Sequence, residues 1–84
     1  MDLQTMIVDI CRTGANAAVK VAPMVRQAAR TNGTVWVSPI AGAVTLEYLD
    51  AEGQQVTRSD FTAAERASII QQARELGVEI RSAF

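Results

Sequence analysis

The feature that most constrains this chain is an apolar stripe that keeps a helical phase over the first 30 of its 84 residues. At about 100° per residue, ten residues fall within an arc of about 100°, the width of a core-facing helix stripe. They are Leu3, Met6, Ile7, Ile10, Gly14, Ala17, Val21, Met24, Val25 and Ala28. Because a turn would reset the phase, the stripe predicts one helix from about Asp2, its N-cap, to Thr31, ended by Asn32-Gly33.

Pro23 lies inside this predicted helix. It lacks the N–H that would bond the carbonyl of Val19, so we expect a kink there, at a cost of about 3 kcal/mol. A straight helix of this length would run about 45 Å, which exceeds the width of a small compact domain. The kink therefore wraps the helix around its own core, leaves an arm for a second copy to cover, or is a neutral bend.

A second strip of small residues, which we call the shoulder, lies beside the stripe, with Val8 and Val19 at its edge. It consists of Cys11, Ala15, Ala18, Ala22 and Ala29. Stripe and shoulder together make more than half of the helix circumference apolar, which one sheet cannot cover. Because small side chains permit close helix contact, we expect the shoulder to pack on a second helix of this chain or on its copy in a homodimer.

The middle of the chain has the composition of β-strands. Three segments are rich in β-branched or aromatic residues: Thr34–Ser38, Ala43–Asp50 and Gln54–Arg58. The residues Asp50-Ala51-Glu52-Gly53 are typical of a hairpin connection, in which Gly53 takes positive φ. The pattern predicts a three-stranded antiparallel meander.

The second helix has well-defined ends. Thr62 and Glu65 form a capping box, and Gly77 is a left-handed cap, so the helix is predicted from Ala63 to Leu76. The tail allows a short final strand through Val78 and Ile80. The predicted apolar face of the helix consists of Ala63, Ala67, Ile69, Ile70, Ala73 and Leu76.

These elements predict a single α+β domain over residues 1–84. Its order is a long kinked N-terminal helix, a three-stranded antiparallel meander and a C-terminal helix. We expect both helices on one face of the sheet and the other face open.

The composition argues against an enzyme. The chain has no histidine, one cysteine and no glycine-rich loop before a helix, so we expect no catalytic residue, metal or cofactor. The lone Cys11 fits a packed thiol in a reducing compartment. The N-terminus lacks signal-peptide features, and the longest apolar run, Ile40–Val44, is far shorter than a membrane span. We therefore expect a cytoplasmic protein without a membrane contact.

Trp36 is the leading candidate for partner binding. If Val35 and Val37 face the helices, alternation turns Thr34, Trp36 and Ser38 to the opposite face, where an aromatic side chain flanked by hydroxyl groups would anchor a contact. In the alternative interpretation Trp36 belongs to the core and the valines face outward. An exposed Trp36 favours a non-enzymatic protein that binds another protein stoichiometrically.

Charge decides between the remaining classes of partner. The net charge of −1 argues against a nucleic-acid binder, although Arg58, Arg66 and Arg74 could converge beside the second helix. We expect a homodimer that binds another protein, of which a bacterial or phage inhibitor of a host complex is one concrete form. The alternative is a small nucleic-acid-binding regulator that uses these arginines.

Overall fold

The computed structural model describes residues 3–39 and 42–83, with side chains from residue 14 onward. The elements in chain order are α1 (Leu3–Arg30), β1 (Thr34–Val37), β2 (Val44–Leu49), β3 (Gln55–Arg58), α2 (Ala63–Leu76) and β4 (Glu79–Ser82). This is the predicted α+β order, and the short final strand is present. Asp2, the predicted N-cap of α1, lies outside the described residues.

The first helix is continuous through both Gly14 and Pro23, as the unbroken phase of the stripe predicted. After its last turn, Asn32 takes the left-handed φ of 55°, and the N–H of Gly33 donates to the carbonyl of Ala28 at 2.8 Å. The kink at Pro23 stays a prediction. Among the stripe residues whose side chains the structure describes, Ala17, Val21, Val25 and Ala28 are buried.

The four strands form one sheet in the order β3-β2-β1-β4. The antiparallel meander β1-β2-β3 is confirmed, and β4 pairs with β1 in parallel. In the β2–β3 hairpin, Asp50 Oδ1 accepts from the N–H groups of Glu52 and Gln54, each at 2.9 Å. Gly53 has a φ of 77°, as this turn requires.

The second helix has the predicted bounds and caps. Thr62 Oγ1 accepts from the N–H of Glu65 at 3.2 Å, and Glu65 Oε1 accepts from the N–H of Thr62 at 2.7 Å. Gly77 takes a φ of 75°, and its N–H donates to the carbonyl of Ala73. This left-handed cap turns the chain back into β4.

Both helices pack on the same face of the sheet. The buried cluster joins α1, α2 and the inward residues of the strands; it consists of Val21, Val25, Ala28, Val35, Val44, Leu46, Phe61, Ile69, Ala73 and Val78. The predicted apolar face of α2 is wrong in part, because Ala63, Ala67 and Leu76 are exposed. The buried row is instead Glu65, Ile69 and Ala73, which follows the i, i+4 spacing of one helix face.

Candidate interaction surface

The sheet face opposite the helices is the candidate interaction surface. Val35 is fully buried and pairs with the buried Leu46, so alternation directs Trp36 to the other face. There it lies between its register partners, Thr45 of β2 and Arg81 of β4. The buried Val35 thus supports the interpretation in which the valines face the helices. We call this surface the open face; its central residues are Thr34, Trp36, Thr45, Glu47, Glu79 and Arg81.

Trp36 is partly buried on the open face. The guanidinium carbon of Arg81 lies 5.8 Å from the centroid of the indole ring, within the range of a cation–π contact. Arg81 Nε also donates to Glu79 Oε1 at 2.6 Å. The indole Nε1 is shielded from solvent and has no hydrogen-bond acceptor in the described part of the chain. Trp36 therefore presents a partly exposed aromatic ring on the open face, whereas its indole N–H is shielded.

The two hydroxyl residues predicted to flank Trp36 occupy different positions. Thr34 belongs to β1 and pairs with Glu47, so it lies on the open face. Ser38 follows the strand: its N–H donates to the carbonyl of Ala43 at 2.9 Å, and its carbonyl accepts from the N–H of Gly42 at 2.8 Å. Ser38 thus begins the connection to β2.

The three candidate arginines do not form one cluster. Arg58 and Arg66 meet at Phe61, where the guanidinium carbon of Arg58 lies 5.6 Å from the ring centroid and Arg66 Nη1 donates to the Phe61 carbonyl at 2.9 Å. Arg74 lies two turns further along α2, about 12 Å from Arg66 along the helix axis. It lines a separate groove beside β4.

The charge of Arg58 is largely compensated within the chain. Its Nε and Nη2 donate to the two carboxylate oxygens of Asp60, each at 3.2 Å, and its Nη1 donates to Met24 Sδ at 3.4 Å. The hydrogen bonds with Asp60 raise the pKa of Arg58 and lower the pKa of Asp60. A guanidinium bound in this bidentate way has fewer donors left for a phosphate.

The shoulder of α1 is covered at its centre by α2. Gln72 Nε2 donates to the carbonyl of Ala18 at 3.0 Å, and Ala18 and Ala22 are partly buried. Ala15 and Ala29, on either side of this centre, are exposed, and the Cys11 side chain at the N-terminal end of the shoulder lies outside the described residues. The adjoining Val19 is 74% exposed.

The sequence did not reveal an apolar groove between α2 and the edge of the sheet, which we call the β4 groove. Its described lining consists of Val37, Pro39, Ile70, Arg74, Ile80, Arg81 and Ser82, and its volume is about 280 Å³. The groove exists because β4 pairs with β1. This pairing could not be predicted, since a strand of four residues is too short for its sequence pattern to specify a partner. The sequence features that could have indicated this groove were Ile70 and Arg74, one turn apart on α2, and Ile80 in the tail.

The described residues hold no group of three or more histidine, cysteine or acidic side chains that could bind a metal ion. None of the helices in the described ranges combines the length and the apolar character needed to cross a membrane. Comparison with protein-family models, with characterised proteins and with solved structures gives no significant match.

Proposed function

We propose that this protein acts by stoichiometric binding to another protein, through the open face around Trp36. The observation that carries the proposal is the one-sided sheet: the described helices lie on the face of Val35 and Leu46, and Trp36 lies on the other. An aromatic side chain with an arginine stacked on it is the kind of residue pair that supplies most of the binding energy at protein interfaces.

The charges on the open face favour a protein partner over a nucleic acid. Glu47 and Glu79 accompany Arg81 there, so the surface carries both signs of charge and would repel part of a phosphate backbone. The paired Arg58 and the distance of Arg74 from Arg66 weaken the alternative of an arginine-lined nucleic-acid surface.

Affinity capture tests the proposal. The full chain is immobilised, exposed to a native lysate, and compared with the variants Trp36→Ala and Gln71→Ala. Gln71 is an exposed residue of the helix layer whose side chain bonds only Glu75 in the described structure, so it serves as the control. We expect a partner retained at one copy per chain, lost with Trp36→Ala and kept with Gln71→Ala.

Two outcomes would contradict this function. Capture that is equal for both variants would remove the open face as the binding surface. Retention on immobilised DNA or RNA at low salt, weakening steeply as salt rises, would instead favour the arginine-based regulator.

We further propose that the chain is a homodimer through the exposed side of α1 around Val19. The helix has 28 residues and α2 has 14, so α2 is about half as long as α1, whose length is roughly 42 Å. The exposed Val19 and Ala15, one turn apart, form a small apolar strip that a second copy of α1 would cover. A dimer would also add buried surface to a domain whose small size limits its stability.

A further inference from the structure

The strand β4 is an edge of the described sheet, with β1 as its neighbour on one side. The N–H of Ala83 donates to the carbonyl of Val37 at 2.9 Å, and Arg81 and Ser82 are in register with Trp36 and Val37. In a parallel ladder, alternate residues of a strand bond to the same neighbour. The backbone N–H and carbonyl of Ile80 therefore point away from β1, toward the edge.

The β4 groove lies directly beside this edge, on the helix side of the sheet. Val37, Ile70 and Ile80 are partly buried against the core and make the groove apolar. Its volume of about 280 Å³ is at the lower limit of pockets for small ligands, about 300 Å³. A strand paired with β4 would direct every second side chain to the helix side, where this space is available.

The charge of the groove indicates which kind of partner strand would bind there. Arg74 and Arg81 both border the groove, but the guanidinium of Arg81 stacks on Trp36 on the open face. Arg74 is therefore the cationic side chain on the helix side of the described lining, and no carboxylate belongs to that lining. Arg81 bonds Glu79, whereas Arg74 has no ion pair among the described residues. An occupant with a carboxylate beside its apolar side chains would complement this charge.

We infer that an extended acidic segment of a partner protein adds to β4 as a further strand, with apolar side chains in the β4 groove and a carboxylate at Arg74. This inference rests on the proposed function, since it names the chemistry of the partner. Main-chain hydrogen bonds to the edge would supply affinity, and the groove would supply specificity. The other face of the added strand would lie beside Arg81. Because Arg81 stacks on Trp36, the added strand would adjoin the open face.

The probe is the peptide Ac-Glu-Thr-Val-Thr-Val-Thr-Glu-amide, whose alternate residues are apolar with a carboxylate at either end. It is titrated into the isotope-labelled full chain, and the amide NMR signals are followed. We expect saturable shifts at Ile80 and Arg74. The variant Arg74→Glu should weaken binding about tenfold or more, whereas the exposed Arg26→Glu, with the same change in net charge, should not.

Backbone methylation separates strand addition from simple charge attraction. One peptide carries N-methyl groups on both valines and a second carries them on two threonines. Because only alternate N–H groups of an added strand face β4, we expect one methylated peptide to lose binding and the other to retain it. Equal binding by both methylated peptides, or an equal effect of Arg74→Glu and Arg26→Glu, would overturn the inference.

The outcomes for the two proposals are distinguishable. Capture of a partner that depends on Trp36, together with no peptide binding at β4, would overturn the inference and leave the proposed function standing. Peptide binding at β4 with capture that is insensitive to Trp36→Ala would support the edge as a docking site and count against the open face.

Discussion

At the scale of single residues, the indole N–H of Trp36 has no acceptor in the part of the chain that the structure describes. A shielded N–H without an acceptor costs about 1–3 kcal/mol, and Trp36 Nε1 is in this state among the described residues. Trp36→Phe removes the donor and keeps an aromatic ring for Arg81. We therefore expect the free energy of unfolding of Trp36→Phe, measured in urea, to stay within about 1 kcal/mol of the parent chain.

Trp36→Ala is the comparison for that measurement. It removes the ring together with the cation–π contact to Arg81, so we expect a larger loss of stability than for Trp36→Phe. A loss above about 2 kcal/mol for Trp36→Phe would contradict the assignment, because it would mean that the indole N–H has an acceptor in solution.

Glu65 makes the stability of the chain depend on pH. The hydrogen bond from the N–H of Thr62, followed by the one from Lys20 at 3.2 Å, lowers the pKa of the Glu65 carboxyl. A lowered carboxyl pKa gives stability that is fully present above the ordinary glutamate pKa of about 4.3 and is lost as pH falls through the folded-state pKa. We expect the free energy of unfolding of the parent chain to decline below about pH 4.3. The variant Glu65→Gln should decline less over the same range.

Urea unfolding midpoints between about pH 3 and pH 6 measure this effect. Glu75→Gln is the control, since Glu75 is an exposed carboxylate on the same helix whose side chain bonds Gln71 at 3.4 Å. If the unfolding midpoints of Glu65→Gln and Glu75→Gln depend on pH in the same way, protonation of Glu65 is not the cause of the loss of stability in acid.

Glu65 also shows where sequence reasoning fails at this scale. The capping box predicted its hydrogen bonds. The apolar pattern of α2 correctly included Ile69 and Ala73 in the packed face, but it added the exposed Ala63, Ala67 and Leu76 and left out Glu65. The carboxylate reaches back to Thr62 and toward Lys20, and these partners allow Glu65 to be 5% exposed without an unsatisfied charge. Hydrophobic periodicity does not register a buried charge whose partner lies on another helix.

At the scale of elements, the connection from α1 to β1 depends on a close approach at Gly33. A Cβ at this position would collide with the carbonyl oxygen of Glu47 and lie 2.9 Å from the Cβ of Ala28. We expect Gly33→Ala to lower the free energy of unfolding by about 1–3 kcal/mol, the usual cost of overpacking.

Gly14→Ala is the matched control. A Cβ at Gly14 has open space around it, and the residue lies inside α1, where alanine is favoured over glycine by about 0.5–1 kcal/mol. We therefore expect thermal unfolding to move to a lower temperature for Gly33→Ala and to a higher one for Gly14→Ala. Equal shifts would mean that the approach of Gly33 to β2 is not tight in solution.

The long elements could be predicted from the sequence, whereas the place of β4 could not. The phase of the stripe predicted α1 through Pro23, and caps at both ends fixed α2. The tail containing Ile80 is too short for periodicity to select its partner strand or its direction. Its parallel pairing with β1 depends on the turn at Gly77 and on the cover that Ile80 gives to the core, so the β4 groove became visible only in three dimensions.

At the scale of the whole molecule, α1 is nearly as long as the longest dimension of the protein. Its length of about 42 Å compares with overall dimensions of 47 × 29 × 21 Å. The helix α2 has 14 residues against 28 in α1, and the described helices lie on the face of the sheet opposite Trp36. We propose these two surfaces for association, α1 for a second copy and the open face for a different protein, beside the edge at β4.

The dimer can be tested at Val19 without disturbing the core. Because Val19 is 74% exposed in the isolated chain, Val19→Glu should leave the fold intact. A substitution at Ala18 would be less informative, since Ala18 lies under Gln72 of α2. We expect the parent chain to have twice the monomer mass in light scattering at micromolar concentration, and Val19→Glu to have the monomer mass, because a buried unpaired carboxylate opposes association.

Gln71→Glu is the control for the dimer, since it adds the same negative charge at an exposed site on α2. It should retain the dimer mass, and circular dichroism should show equal helix content in all three chains. A parent chain with the monomer mass, or a Val19→Glu variant that remains dimeric, would contradict association through this side of α1. A monomeric parent chain would mean that a domain of this size is stable with the apolar strip of Ala15 and Val19 exposed to water.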